Sequence, residues 1–116
     1  MTAYQTKYKR PGRFLELMLL TSLKEEDLYG YRLLDKINEF GFDEDIPSLS
    51  TIYRRLNRME KEGLVLSSWA ESSEGPKKKY YQITNKGNLE LEIWIELIKK
   101  RRKHIDSIIE KYDSLK

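Results

Sequence analysis

Between Ser48 and Gly63 the chain spaces Ser50, Arg54, Asn57 and Lys61 by three or four residues, with Thr51, Tyr53 and Arg58 beside them. In a helix at 100° per residue, Ser50, Arg54, Asn57 and Lys61 share one side. Thr51 and Arg58 flank that side at one edge and Tyr53 at the other. Arg54 and Arg58, one turn apart, can reach guanine edges or phosphates with their guanidinium forks. Asn57 can pair with an adenine edge. Ser50 and Thr51, in the first turn, can bond a phosphate at the positive end of the helix. Tyr53 has two readings: a hydroxyl offered to phosphate, or a ring packed on the preceding helix. A second basic feature, Lys77-Lys78-Lys79, supplies salt-sensitive attraction without sequence preference. The chemistry these residues can perform is recognition of a polyanion.

Catalytic chemistry has little material. Cysteine is absent, which removes disulfides, thiol nucleophiles and thiolate-bound zinc. The single histidine, His104, lies between Lys103 and Ile105 in a charged stretch. There is no paired nucleophile and base, no metal-ligand cluster and no Gly-rich phosphate loop. The sequence therefore predicts a protein that is not an enzyme and carries no cofactor or metal. No apolar stretch approaches the roughly 20 residues that span a bilayer, and no signal peptide is evident, so the expected compartment is the cytoplasm, with no membrane partner.

The elements that must position the basic residues follow from periodicity. The chain has 116 residues, 39% hydrophobic and 35% charged, with few Gly and Pro, which favours a small helical core over a β-sandwich. Residues 1–12 are polar and basic, end in Pro11-Gly12, and read as a mobile arm. Phe14, Leu17, Met18, Leu20 and Leu23 mark an amphipathic first helix, and Tyr31, Leu33, Leu34, Ile37 and Phe40 a second, read from Leu28 and stopped by Gly41. An acidic loop leads to Ser48, which can cap a third helix ending at Glu62 with Gly63 as its stop; Ile52, Leu56 and Met59 form its core stripe. Two short strands, Leu64–Trp69 and Lys79–Thr84, flank a turn-rich cluster and predict a β-hairpin.

Thr84 then caps a long last helix. Leu91, Ile98, Ile105 and Tyr112 repeat every seven residues, and Trp94, Arg101, Ile108 and Leu115 follow each by three. Ile95 widens the same face. This heptad seam needs a partner helix, most simply its own copy across a two-fold axis. The expected dimer interface is Leu91, Trp94, Ile95, Ile98, Ile105, Ile108 and Tyr112.

Helix, helix, helix, hairpin, helix is the element order of a winged helix-turn-helix, in which the third helix enters the major groove and the hairpin reaches the flanking backbone. The expected fold is mainly α with a small β-hairpin. Its parts are the arm (1–12), a winged-helix domain (13–84) and a C-terminal dimerisation helix (85–116). The expected DNA-binding residues are Ser50, Thr51, Tyr53, Arg54, Asn57, Arg58, Lys61, Lys77, Lys78 and Lys79. A winged-helix module that uses the same face for an acidic protein partner is the alternative.

Three blocks resemble the PadR family of bacterial transcriptional regulators. Leu19-Leu20 through Tyr29-Gly30-Tyr31 is similar to its first block. Thr51-Ile52-Tyr53-Arg54-Arg55-Leu56-Asn57-Arg58-Met59-Glu60-Lys61-Glu62-Gly63-Leu64 resembles its recognition helix. Gly75-Pro76-Lys77-Lys78-Lys79-Tyr80-Tyr81-Gln82-Ile83-Thr84, followed by Gly87, resembles its wing and the entry to its last helix. The resemblance implies a homodimeric repressor on a pseudo-palindromic operator in duplex DNA, in a bacterial or archaeal cytoplasm at the nucleoid. The short length and single C-terminal helix resemble the smaller subfamily, whose members sense drugs with a tryptophan from each subunit at the dimer centre. That place falls here on Ile98, and Trp94 sits one turn earlier. The implied pocket for a small hydrophobic effector is Trp94 and Ile98 against the partner's first helix, with Phe14 and Met18.

Overall fold

The computed structural model describes residues 13–41, 46–72 and 75–116. The expected arm (1–12), the middle of the acidic loop and the hairpin tip lie outside the described residues. In chain order the elements are α1 (Arg13–Glu25), β1 (Leu28–Tyr29), α2 (Gly30–Glu39), α3 (Leu49–Lys61), β2 (Val65–Ser72), β3 (Gly75–Ile83) and α4 (Asn85–Ser114). This is the expected mainly helical winged fold with a long last helix.

Caps explain most of the boundaries. The Ser48 hydroxyl accepts the Thr51 backbone N–H at 3.2 Å and opens α3. Gly63, at φ 80°, ends it in a left-handed turn: the Leu64 N–H bonds the Met59 carbonyl at 2.9 Å and the Gly63 N–H bonds the Glu60 carbonyl at 3.0 Å. These paired bonds satisfy carbonyls that a helix end leaves orphaned, and only glycine takes that φ without strain. The Thr84 hydroxyl accepts the Gly87 N–H at 3.0 Å and donates to the Gly63 carbonyl at 2.7 Å. One side chain thus caps the start of α4 and holds the end of α3. A Cβ at Gly87 would run into the Leu64 carbonyl oxygen, so glycine permits this close crossing.

The hairpin strands run further toward the tip than expected, to Ser72 and from Gly75, and the expected start of the second helix is corrected. The second helix begins at Gly30, and Leu28–Tyr29 is a strand. Leu28 pairs with Tyr81 and Tyr29 with Tyr80, making an antiparallel sheet in the order β1-β3-β2. Leu28 is buried either way, so periodicity alone could not separate the two states. What decides is a long-range pairing: the Tyr29 and Tyr80 rings meet edge to face, 5.3 Å apart.

The core draws on every helix and the sheet. Leu19, Leu20, Leu33, Ile52, Leu56, Met59, Leu64, Val65 and Trp94 have no exposed surface, and Ile52, Leu56 and Met59 are the expected stripe of α3. Gly30 is also packed tightly, because a Cβ there would collide with the hydroxyl and ring of Tyr53. Gly30→Ala is therefore expected to destabilise the chain by about 1–3 kcal/mol, despite alanine's better helix propensity, as urea unfolding would read.

Candidate nucleic-acid interface

Burial of one stripe of α3 presents the opposite stripe. Ser50, Arg54, Asn57, Arg58 and Lys61 are all exposed. No ion pair among the described residues engages Arg54. Arg58 is 3.8 Å from Glu62 across one turn, a separation that leaves its guanidinium largely in solvent. Arg55, between them in sequence, turns the other way and lies 3.8 Å from the buried Glu16 of α1. This ion pair links α3 to α1.

At the start of α3 three hydroxyls cluster. Ser48 Oγ lies 3.0 Å from both Ser50 Oγ and Thr51 Oγ1. Thr51 is half-buried and Ser50 exposed. The two readings of Tyr53 resolve toward packing: the ring is half-buried against Gly30 at the first turn of α2. Its hydroxyl sits against Gly30, while the ring keeps some exposed surface.

The lysine run lies on β3 beyond the sheet's core-facing Tyr81. Lys77 is 3.6 Å from Glu71 across the hairpin, with both side chains exposed. The Lys78 ammonium sits 4.2 Å from the centre of the Tyr29 ring, and that of Lys79 5.7 Å from the Tyr81 ring. Such contacts fix the positive charge without neutralising it. The lysines and α3 meet at an open cleft of about 530 Å³ lined by Tyr29, Tyr31, Tyr53, Trp69, Pro76 and Lys77–Lys79.

The hairpin is also tied directly to α3. Glu60 accepts the Ser67 backbone N–H at 3.1 Å and the Ser67 hydroxyl at 3.0 and 2.8 Å to its two oxygens. Tyr81, paired with Ser67, is buried, and its hydroxyl has no hydrogen-bond partner among the described residues. Burial pushes its phenol above the usual value, and the nearby Glu60 and Tyr53 push it further, so it stays uncharged at neutral pH. Neither Glu60–Ser67 nor Glu16–Arg55 is legible in the sequence. Both join residues whose pairing depends on tertiary geometry, and a glutamate on a charged helix carries no local sign of it.

The expected seam of α4 divides in two. Ile105, Ile108 and Tyr112 are exposed, at 47%, 69% and 63%, and Ile95 and Ile98 are half-buried. Leu91 and Trp94 are buried within their own protomer, Trp94 completely. The physical reason is that α1 and the start of α4 pack together, so the first turns of the heptad are filled from within the chain. Of the other residues expected at an effector pocket, Phe14 is exposed and Met18 half-buried, and a cleft of about 470 Å³ between α1 and α4 is walled by Thr21, Lys24, Asn88, Leu91, Glu92, Ile95, Glu96 and Lys99. His104 is exposed. Among the described residues no group of three or more acidic, His or Cys side chains could hold a metal, and no helix is long and apolar enough to cross a membrane.

Comparison with known proteins places the geometry. Residues 19–93 match the family model of the PadR-like transcriptional regulators. A PadR-like transcriptional regulator from Bacillus cereus is 37% identical with a TM-score of 0.73, over 82% of this chain and 90% of that one. PadR of Bacillus subtilis, solved in complex with operator DNA, is 28% identical with a TM-score of 0.66, over 75% of this chain and 49% of that one. An uncharacterized protein of Lysinibacillus sphaericus is 32% identical over 90 residues, 73% of this chain and 75% of that protein.

Proposed function

Since the chain belongs to the PadR-like family of transcriptional regulators, we propose that it binds duplex operator DNA as a homodimer and represses transcription. The observation that carries the reading is the exposed face of α3, with Arg54, Asn57, Arg58 and Lys61 in solvent on the same helix that supplies Tyr53 to a lysine-walled cleft. In this reading α3 lies in the major groove. Arg54 and Asn57 read base edges, Arg58 and Lys61 contact bases or phosphates, and Ser50 and Thr51 bond a phosphate at the helix N-terminus. Lys77, Lys78 and Lys79 hold the adjacent backbone. Two protomers joined along α4 set their α3 helices on half-sites about one helical turn apart. The B. subtilis neighbour's complex with operator DNA supports a DNA partner for this fold.

Repression follows from occupancy of a promoter by the dimer. Release by a small apolar effector belongs to the same proposal: a ligand held near Ile98 at the dimer axis would favour a dimer whose α3 spacing no longer fits the half-sites.

The test is binding to fragments from the DNA upstream of the protein's own gene. Arg54→Ala is expected to weaken operator binding about tenfold to a hundredfold while leaving non-specific binding nearly intact. Changing Lys77, Lys78 and Lys79 together to Ala should weaken both and flatten the dependence of log K on log salt by about 0.9 for each phosphate no longer neutralised. Gel shifts across a salt series read both. Unchanged affinity in both variants rejects the assigned face.

A further inference from the structure

We infer that the cleft between α3 and the hairpin seats a sugar–phosphate strand of the DNA, with Trp69 as an aromatic contact that flanks the lysines. The inference deepens the DNA-binding reading and rests on it. The two tryptophans of the chain have opposite fates. Trp94 is fully buried, whereas Trp69 is 65% exposed on β2, directly across from Lys79. The Trp69 indole belongs neither to the buried core nor to the partly buried residues packed against it. Its surroundings are also distinctive. Tyr31, 63% exposed, and the half-buried rings of Tyr29 and Tyr53 line the same cleft, together with Pro76 and three lysines.

This lining combines flat apolar surfaces with ammonium groups. Phosphate alone would need only the lysines, and an apolar ligand only the rings. A deoxyribose–phosphate strand offers both, with apolar sugar edges alternating with charged oxygens. Position agrees with chemistry. Tyr53 belongs to α3 and Trp69, Pro76 and the lysines to the hairpin, so the cleft joins the element expected in the groove to the one expected on the flanking backbone. Lys78 is held over the Tyr29 ring at the cleft's margin, so part of the positive charge is in place before any ligand arrives. An acidic peptide would match the charge, but it would have no continuity with the exposed basic face of α3.

The two tryptophans make the test direct, because only Trp69 can touch a ligand. A random-sequence duplex two helical turns long, at low salt, is the probe, since backbone contact does not depend on sequence. Titrating the wild-type chain should change its tryptophan emission, and Trp69→Phe should abolish that change while binding as wild type. Trp69→Ala should weaken binding about tenfold with an unchanged salt slope, because the indole carries no charge. The Lys77–Lys79 alanine variant should show the opposite pattern, a reduced slope with the emission change retained on saturation. Unaltered wild-type emission at saturation overturns the inference, as does Trp69→Ala binding within twofold of wild type or with a reduced slope. In those cases the DNA-binding reading stands on its own arginine and lysine variants. A wild-type chain that binds no duplex at low salt overturns both.

Discussion

Trp94→Ala should lower the stability of the chain by about 3–5 kcal/mol, the cost of emptying a large aromatic site in a packed core. The side chain is completely buried against the leucines of α1 and the rest of the core cluster. Small domains are stable by only about 5–15 kcal/mol, so this one change consumes a large share of the total. At this size each kcal/mol moves the midpoint by roughly 4–8 °C, and a drop of about 12–40 °C is expected in thermal melts followed by circular dichroism. The result also distinguishes two roles. A core residue costs the same stability at every protein concentration, whereas a dimer-seam residue costs it in proportion to the dimer population. A midpoint within a few degrees of wild type would show that Trp94 is not the centre of the core.

Trp94 also shows what the sequence could and could not tell. Its seven-residue spacing to Arg101 and its place beside Leu91 make an apolar face legible. The same spacing says nothing about which helix covers that face. Here α1 covers it, because Leu17, Leu20 and Leu23 present a complementary stripe and Gly87 lets α4 cross close to the end of α3. Features set by neighbouring residues are readable for this reason: the Ser48 and Thr84 caps, the Gly41 and Gly63 stops, and the Ile52-Leu56-Met59 stripe. Features set by distant partners are not. Leu28–Tyr29 is a strand only because Tyr80 and Tyr81 arrive beside it. Tyr53 keeps two readings until Gly30 supplies the space for its ring. In the candidate site, the exposed side of α3 can be derived from helix geometry alone, but the aromatic cleft cannot. Its walls come from β1, α2, α3 and both hairpin strands, and no window of sequence contains them together.

Charging the outer half of α4 should have the other large effect, on assembly rather than on the core. From Lys99 onward every residue of the chain is exposed, including Ile105, Ile108, Ile109, Tyr112 and Leu115. A helical segment this short is marginal in water without packing on one face. A run of exposed apolar side chains at heptad spacing meets that need if a second copy lies against it. Each isoleucine fully buried in such a seam is worth ~1.5–3 kcal/mol, and a two-fold axis counts every substitution twice. Ile105→Glu combined with Ile108→Glu is therefore expected to convert a dimer to a monomer in sedimentation at micromolar concentration. The protomer's core should stay folded, since neither residue belongs to it, while the melting midpoint should fall to that of the lone protomer and lose its dependence on protein concentration. Operator binding should fall by about a hundredfold or more, because linking two half-site contacts in one particle is what raises their joint affinity. Binding to a single half-site should be nearly unchanged, as α3 and the hairpin lie in the part of the protomer that remains folded. A variant that still sediments as a dimer would place the interface elsewhere and remove the basis for setting two α3 helices at a helical-repeat distance.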